Sequence, residues 1–227
     1  MNLLALDTST RSCVIGIARG DQLIERSETV DRTHSQVVLP MILETMASAD
    51  LTLGELDALV LGQGPGSFTG LRIAAGVIQG LAFGLDIRVA PVSTLAALAQ
   101  ARIRRHGDDR VAVAMHARVD EMFFGCYSNH QGLAECAYDE EVVVLDDLDI
   151  DWTTCSGTGD GWAQESASIT RDRLLSYDSV SVPSASDLLT LGRRLISENQ
   201  TVVAAEALPR YLRETVATPA ANLKKPT

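Results

Sequence analysis

Three strand-like runs open the chain with almost nothing between them. "NLLALDTS" begins at Asn2, "CVIGIARG" at Cys13 and "QLIERSETV" at Gln22, with Gly20 and Asp21 placed for a two-residue hairpin turn. Alternation follows. "SQVVLPMILETMASADL" has helical periodicity, with Ser35 as its N-cap and Pro40 placed to bend it. "DALVLGQGP" is an apolar run of parallel-strand type, and Ser67 to Leu85 reads as a helix. "IRVAPV" is a further strand and "STLAALAQARIRRH" a further helix. The order βββ, α, β, α, β, α predicts a mixed sheet covered by helices.

The second half restarts the pattern. "RVAVAMHAR" pairs with "EMFFGCYS" across Val119 and Asp120, and "ECAYDEEVVVL" supplies a third strand. The helix "SASDLLTLGRRLISEN" comes later, capped by Ser184 or Ser186. A second opening of consecutive strands suggests an old duplication. The polar, turn-prone "RRHGDDR" sets the boundary, giving lobes over 1–106 and 107–213 and a loose tail over 214–227.

Charge and cysteine usage narrow the setting. A formal net charge of -11 repels phosphate backbones at long range, so work on nucleic acid requires a more basic partner. The cysteines Cys13, Cys126, Cys136 and Cys155 form no CxxC pair, which excludes a zinc or thioredoxin reading and fits a reducing cytosol. The start "MNLLALDTSTRSC" has no basic flank for a signal peptide, and no apolar run is expected to span a membrane.

The stretch "GQGPGSFTG", from Gly62 to Gly70, follows a strand and opens a helix, the setting in which helix amides bind anions. Its lettering misses the known cradles. Ser67 and Thr69 stand where GxGxxG requires glycine, no lysine completes a Walker loop, and Ser67 follows Gly66 directly, unlike a nucleophile elbow. A structural turn capped by Ser67 or Thr69 and stiffened by Pro65 is favoured over a phosphate cradle. Asp7, at the end of the first strand, could hold a metal-bound phosphate or cap its own turn, and the cap is favoured. "DDLDIDWTTCSGT" fails as a calcium loop, with Trp152 at the glycine position and Thr158 at the glutamate. His34, His106, His116 and His130 show no paired spacing for a metal.

Gly76, Gly80 and Gly84 are spaced four apart and share one helix face. Each interior glycine costs about 1 kcal/mol relative to alanine, so the three weaken the helix by roughly 3 kcal/mol. A face without Cβ atoms makes sense where something packs very close. Leu71, Ile73, Val77, Ile78 and Leu81 lie beside it, and the preceding helix carries Val37, Val38, Met41, Ile42 and Met46. These two apolar helices either pack only on their own sheet or meet a second subunit.

"LLALDTST", "THSQVVLPMI", "LGQGPGSFTGLRIAAGVIQGLA" and, near the end, "PRYLRE" resemble the TsaB (YeaZ) family. "MHARVDEMFFG" and "GTGDGW" extend the likeness into the second half, although the family has Asp where this chain has His116. The resemblance implies the actin-like, Hsp70-like and sugar-kinase-like (ASKHA) ATPase fold, with two lobes each holding a mixed sheet. It also implies a cytoplasmic, non-catalytic scaffold for TsaD, the transferase that forms N6-threonylcarbamoyladenosine at position 37 of tRNAs. TsaE, a small ATPase, is a further partner, and a homodimer is expected in isolation. tRNA is met only through the complex and a membrane not at all. No cofactor is required; weak ATP or ADP binding in a relic cleft at Asp7, Thr8, Gly64 and Gly66 stays open. The partner interface then falls on His34, Val38, Met41, Ile42, Leu71, Arg72, Ile73, Gly76, Val77, Gly80 and Gly84. An ASKHA small-metabolite kinase is the alternative.

Overall fold

Residues 1–30, 34–118, 120–180 and 182–212 are described by the structure, a computed structural model. The expected tail 214–227, together with Arg213, lies outside them. Strands β1 (Asn2–Asp7), β2 (Ser12–Arg19) and β3 (Gln22–Thr29) form an antiparallel meander, as the hairpin signals predict. Helix α1 (His34–Ser48), strand β4 (Ala58–Gly64), helix α2 (Phe68–Leu85), strand β5 (Arg88–Ser93) and helix α3 (Thr94–His106) complete the first half. Strands β4 and β5 run parallel to β1, giving a sheet ordered β3-β2-β1-β4-β5.

The same plan recurs. Strands β6 (Arg110–Arg118), β7 (Glu121–His130) and β8 (Leu133–Val143) form a second antiparallel meander. Short strands β9 (Ser156–Thr158) and β10 (Ser176–Tyr177) add in parallel beyond β6, so the second sheet is ordered β10-β9-β6-β7-β8. Each sheet therefore has a meander on one side of its first strand and two parallel strands on the other. That shared order is the structural counterpart of the repeated sequence pattern.

Strand alternation sorts the core into layers. Leu4, Leu6, Ile15, Ile17, Leu59 and Leu61 face α1 and α2. Leu3, Ala5, Val60, Ala90 and Val92 face the opposite way, onto Leu188, Leu189 and Leu191 of helix α5 (Ala185–Ser197). In the second sheet Val111, Val113 and Met115 face Leu95, Leu98 and Ile103 of α3. Ala112, Ala114 and Phe124 face a loop layer built on Trp152 and Trp162, with the short helix α4 (Ser168–Arg171) at its rim. Small strand residues there leave room for two indoles packed edge to face, 5.8 Å apart.

Two packing relations depart from the linear reading. Helix α3 lies within the expected first lobe, yet it packs mainly on β6, β7 and β8. Helix α5 lies within the expected second lobe, yet it covers the first sheet. A boundary at residues 106 and 107 thus divides the chain without dividing the packing, because each sheet draws a helix from the other half. An ion pair from Arg104 to Asp187, at 2.9 Å, ties the two helices where they meet, and Ser184 caps α5.

The expected serine caps form at α2, α3 and α5 but not at α1. Ser67 caps α2 through the Gly70 amide, and Ser93 caps α3 through the Leu95 and Ala96 amides. The exception is Ser35. It sits inside α1, which already begins at His34; the residues before it, 31–33, lie outside those described. The helix runs on through Pro40 to Ser48. The sequence reading of membrane-spanning length also needs correction. At 18 residues and a mean hydropathy of 1.4, α2 is long and apolar enough to cross a membrane on length and composition. Its buried residues Leu71, Ala74, Ala75, Ile78 and Ala82 instead pack within the protein.

Candidate functional site

Asp7 closes β1 with its carboxylate fully buried. Oδ1 accepts hydrogen bonds from the Ser9 amide at 2.9 Å and the Ser9 hydroxyl at 2.7 Å. Oδ2 has no hydrogen-bond partner and lies against Gly62, where an added Cβ would come within 2.0 Å of it. Burial pushes the Asp7 pKa up from 3.8 to about 6, against the lowering effect of its Ser9 bonds. Thr8 is also fully buried, its hydroxyl donating to the Gly70 carbonyl at 2.7 Å. The turn after β1 is thereby stitched to the loop before α2. The Ser67 amide donates to Ser9 O at 2.6 Å, and the Gly70 amide donates to Ser67 Oγ at 3.3 Å.

This stitching explains the glycines of "GQGPGSFTG". A Cβ at Gly70 would stand 1.9 Å from Thr8 O, and one at Gly66 would stand 2.3 Å from Ser9 O. Gly64 is buried beneath Leu71, with a positive φ of 104° that disfavours side chains. The loop is shaped by close approach to the β1 turn. Of the residues expected to form a relic nucleotide site, only Gly66 lines the open cleft between the lobes; Asp7, Thr8 and Gly64 do not. The cleft, of about 860 Å³, is lined instead by Ser9, Thr10, Arg11, His34, Ser67, Thr69, His116 and Asp160 among others. Hydroxyls with one arginine and two histidines suit a phosphate-bearing ligand. The Asp7 carboxylate is buried behind Ser9 and does not line the cleft.

The raised pKa has a measurable consequence. Below pH 3.8 Asp7 is protonated in both the folded and the unfolded chain, and its contribution to stability is intact. As pH rises from 3.8 to about 6 the unfolded chain releases this proton first, so stability falls across that window and levels off above it. An Asp7→Asn chain keeps an acceptor for Ser9 and removes the buried charge beside the Thr94 hydroxyl. The expected result, read from urea midpoints, is a gain over wild type that grows between pH 4 and pH 6 and is constant above. Parallel curves for the two chains would contradict it.

The second feature lies on the outer layer. Gly76, Gly80 and Gly84 are exposed, and a Cβ added to any of them would meet no atom within 4 Å. The row begins with Phe68 and Arg72, one helical step apart. The Arg72 guanidinium lies 3.9 Å from the Phe68 ring centroid. Phe83 flanks the far end at 84% exposure, and Leu39 and Leu43 of α1 are 52% and 60% exposed. Ile73 and Val77 are half-buried along the row.

Four residues expected at an interface are corrected by this geometry. Val38, Met41, Ile42 and Leu71 are buried in the chain's own core. His34 is half-buried and lines the cleft. Leu39, Leu43, Phe68 and Phe83, which the expected set leaves out, are the large apolar side chains that these two helices expose. Both helices are apolar nearly all round, so periodicity does not say which side meets the sheet. The polar residues Gln36 and Glu44, which share the arc of Leu39 and Leu43, were the available signal.

Two sheets of matching strand order, each opened by an antiparallel meander and flanked by helices, make this a protein of the actin-like ASKHA fold. YeaZ from Pseudomonas aeruginosa superposes with a TM-score of 0.85 and 39% identity, over 93% of this chain and 99% of that one. The chain belongs to the TsaB family. The tRNA threonylcarbamoyladenosine biosynthesis protein TsaB of Haemophilus influenzae is 36% identical over 95% of each chain, and that of Escherichia coli is 33% identical over 96% of each. The family profile of TsaD, tRNA N6-adenosine threonylcarbamoyltransferase, matches residues 26–221.

Proposed function

We propose that this chain is the non-catalytic partner of a TsaD-like threonylcarbamoyltransferase and docks on it through the outer face of α1 and α2. The uncovered glycine row carries the reading. Three helix glycines weaken the fold, fill no gap within it and stand in a field of exposed apolar side chains. That combination is accounted for by close approach of a helix from a second polypeptide. Membership of the TsaB family and the match to the TsaD profile support a TsaD-like protein as that partner. In isolation the same face pairs two copies of this chain, which the transferase subunit displaces. A TsaE-like ATPase joins the assembled cytoplasmic complex, and the net charge of -11 leaves tRNA contact to its partners.

A metabolite kinase of the same fold is disfavoured by the β1 turn. Such an enzyme would aim its β1 carboxylate at the cleft, whereas Asp7 is buried against Gly62 and bonded to Ser9. The cleft is expected to bind ATP or ADP no tighter than about 1 mM. Mixing the purified chain with the TsaD-like subunit tests the proposal. A complex by gel filtration with light scattering, and tRNA modification only when both are present, is the expected result. Modification or ATP turnover by this chain alone would overturn it.

A further inference from the structure

Beyond α5 the chain returns along the molecule as an irregular segment from Asn199 to Leu212, tied down every few residues. Val202 exchanges two backbone hydrogen bonds with Val89, at 3.0 and 2.8 Å, on the free edge of β5. Arg88 donates to Thr201 O at 2.6 Å, Ala207 is buried in the core beneath α2, and the Arg210 amide donates to Gln63 O at 2.8 Å. All of these anchors belong to the first sheet and its helices.

The next contacts cross to the second sheet. Arg210 Nη1 reaches Glu140 Oε2 on β8 at 3.1 Å. The Glu140 side chain is only 5% exposed, and its other oxygen accepts from the Tyr127 hydroxyl on β7. Leu212 packs against the cluster that contains Phe123. Between these anchors Tyr211 is held over α2. Its ring lies 5.5 Å from that of Phe68, and its hydroxyl accepts from Arg72 Nε at 3.2 Å. Phe68 and Arg72 head the same helical row as Gly76, Gly80 and Gly84.

We propose that residues 199–212 form a strap that fixes Phe68 and Arg72 for the incoming transferase subunit, closed across the lobes by the Arg210–Glu140 pair. The role rests on the reading of the glycine row as the partner face. Its physical basis is pre-organisation. A free arginine side chain samples many rotamers, and ordering it on binding weakens association. Tyr211 orders Arg72 beforehand, and Arg210 holds Tyr211 in place. Loss of Arg210 leaves the buried Glu140 carboxylate without its cation, which loosens the strap locally. The remaining anchors at Val202 and Ala207 keep the chain folded.

The test compares Arg210→Met and Arg210→Lys with the wild-type full chain. One readout is hydrogen exchange in peptides covering residues 200–212, and the other is affinity for the TsaD-like subunit. Arg210→Met is expected to exchange at least tenfold faster near residue 210 and to bind roughly tenfold more weakly, with Arg210→Lys restoring most of both. Faster exchange with unchanged affinity would remove the positioning role. Unchanged exchange would remove the strap closure itself. Failure of the wild-type chain to bind at all would sink the partner reading and the positioning role with it, while the exchange data would still report on the closure.

Discussion

A Gly80→Leu chain is expected to fold normally and to lose its partner. The two halves of that expectation come from one observation: a Cβ at Gly80 would meet nothing within 4 Å. Inside the isolated chain the added side chain points into open space, so no strain opposes it. Leucine is also a better helix former than glycine by somewhat under 1 kcal/mol, so the melting temperature should hold or rise. At the interface the same side chain would push two helices apart along a row built for contact. Affinity for the TsaD-like subunit should drop by at least a hundredfold, measured by calorimetry or by co-elution. Gly80→Ala provides the control, with stability up by about 1 kcal/mol and a smaller loss of affinity. Undiminished binding by Gly80→Leu would mean that the row is not the docking face.

Gly70→Ala is expected to do the reverse and damage the fold itself. Here the new methyl would sit 1.9 Å from the Thr8 carbonyl oxygen, a backbone atom in the buried turn after β1 that cannot swing aside. Relief requires moving the first turn of α2, which breaks the bond from the Thr8 hydroxyl to Gly70 O and the Ser67 cap. Overpacking with loss of a cap destabilises by about 3 kcal/mol. In a chain of 227 residues that lowers the melting temperature by roughly 6 to 12 °C. Calorimetry on the pure protein settles it, and an unchanged melting point would contradict the close approach of loop and turn. Gly70 and Gly80 open and close the single stretch "GLRIAAGVIQG", yet they call for opposite outcomes.

That contrast marks what was legible beforehand. Strand meanders, parallel runs, the caps at Ser67 and Ser184 and the shared face of the three glycines all follow from local pattern. Distances across the sheet do not. Nothing in "LDTS" tells that Thr8 will meet Gly70, because the contact spans 62 positions and depends on β1 lying beside β4. The same limit governs the proposed partner face. Val38 and Leu39 are adjacent and both apolar, yet one enters the core and the other faces out. Only the position of the sheet decides between them. The crossing of α3 and α5 was also hidden, since each helix reads as an ordinary amphipathic segment wherever it docks.

That crossing bears on how the molecule can move. Two-lobed proteins open and shut by hinging when few contacts span the gap. In this one, α3 and α5 lie back to back between the sheets, each rooted in one and continuous in sequence with the other. Swinging the halves apart would require unzipping Arg104 from Asp187 and prising two packed helices from each other. That packing opposes a hinge between the halves, and such resistance would suit the proposed role of bracing a neighbour's shape.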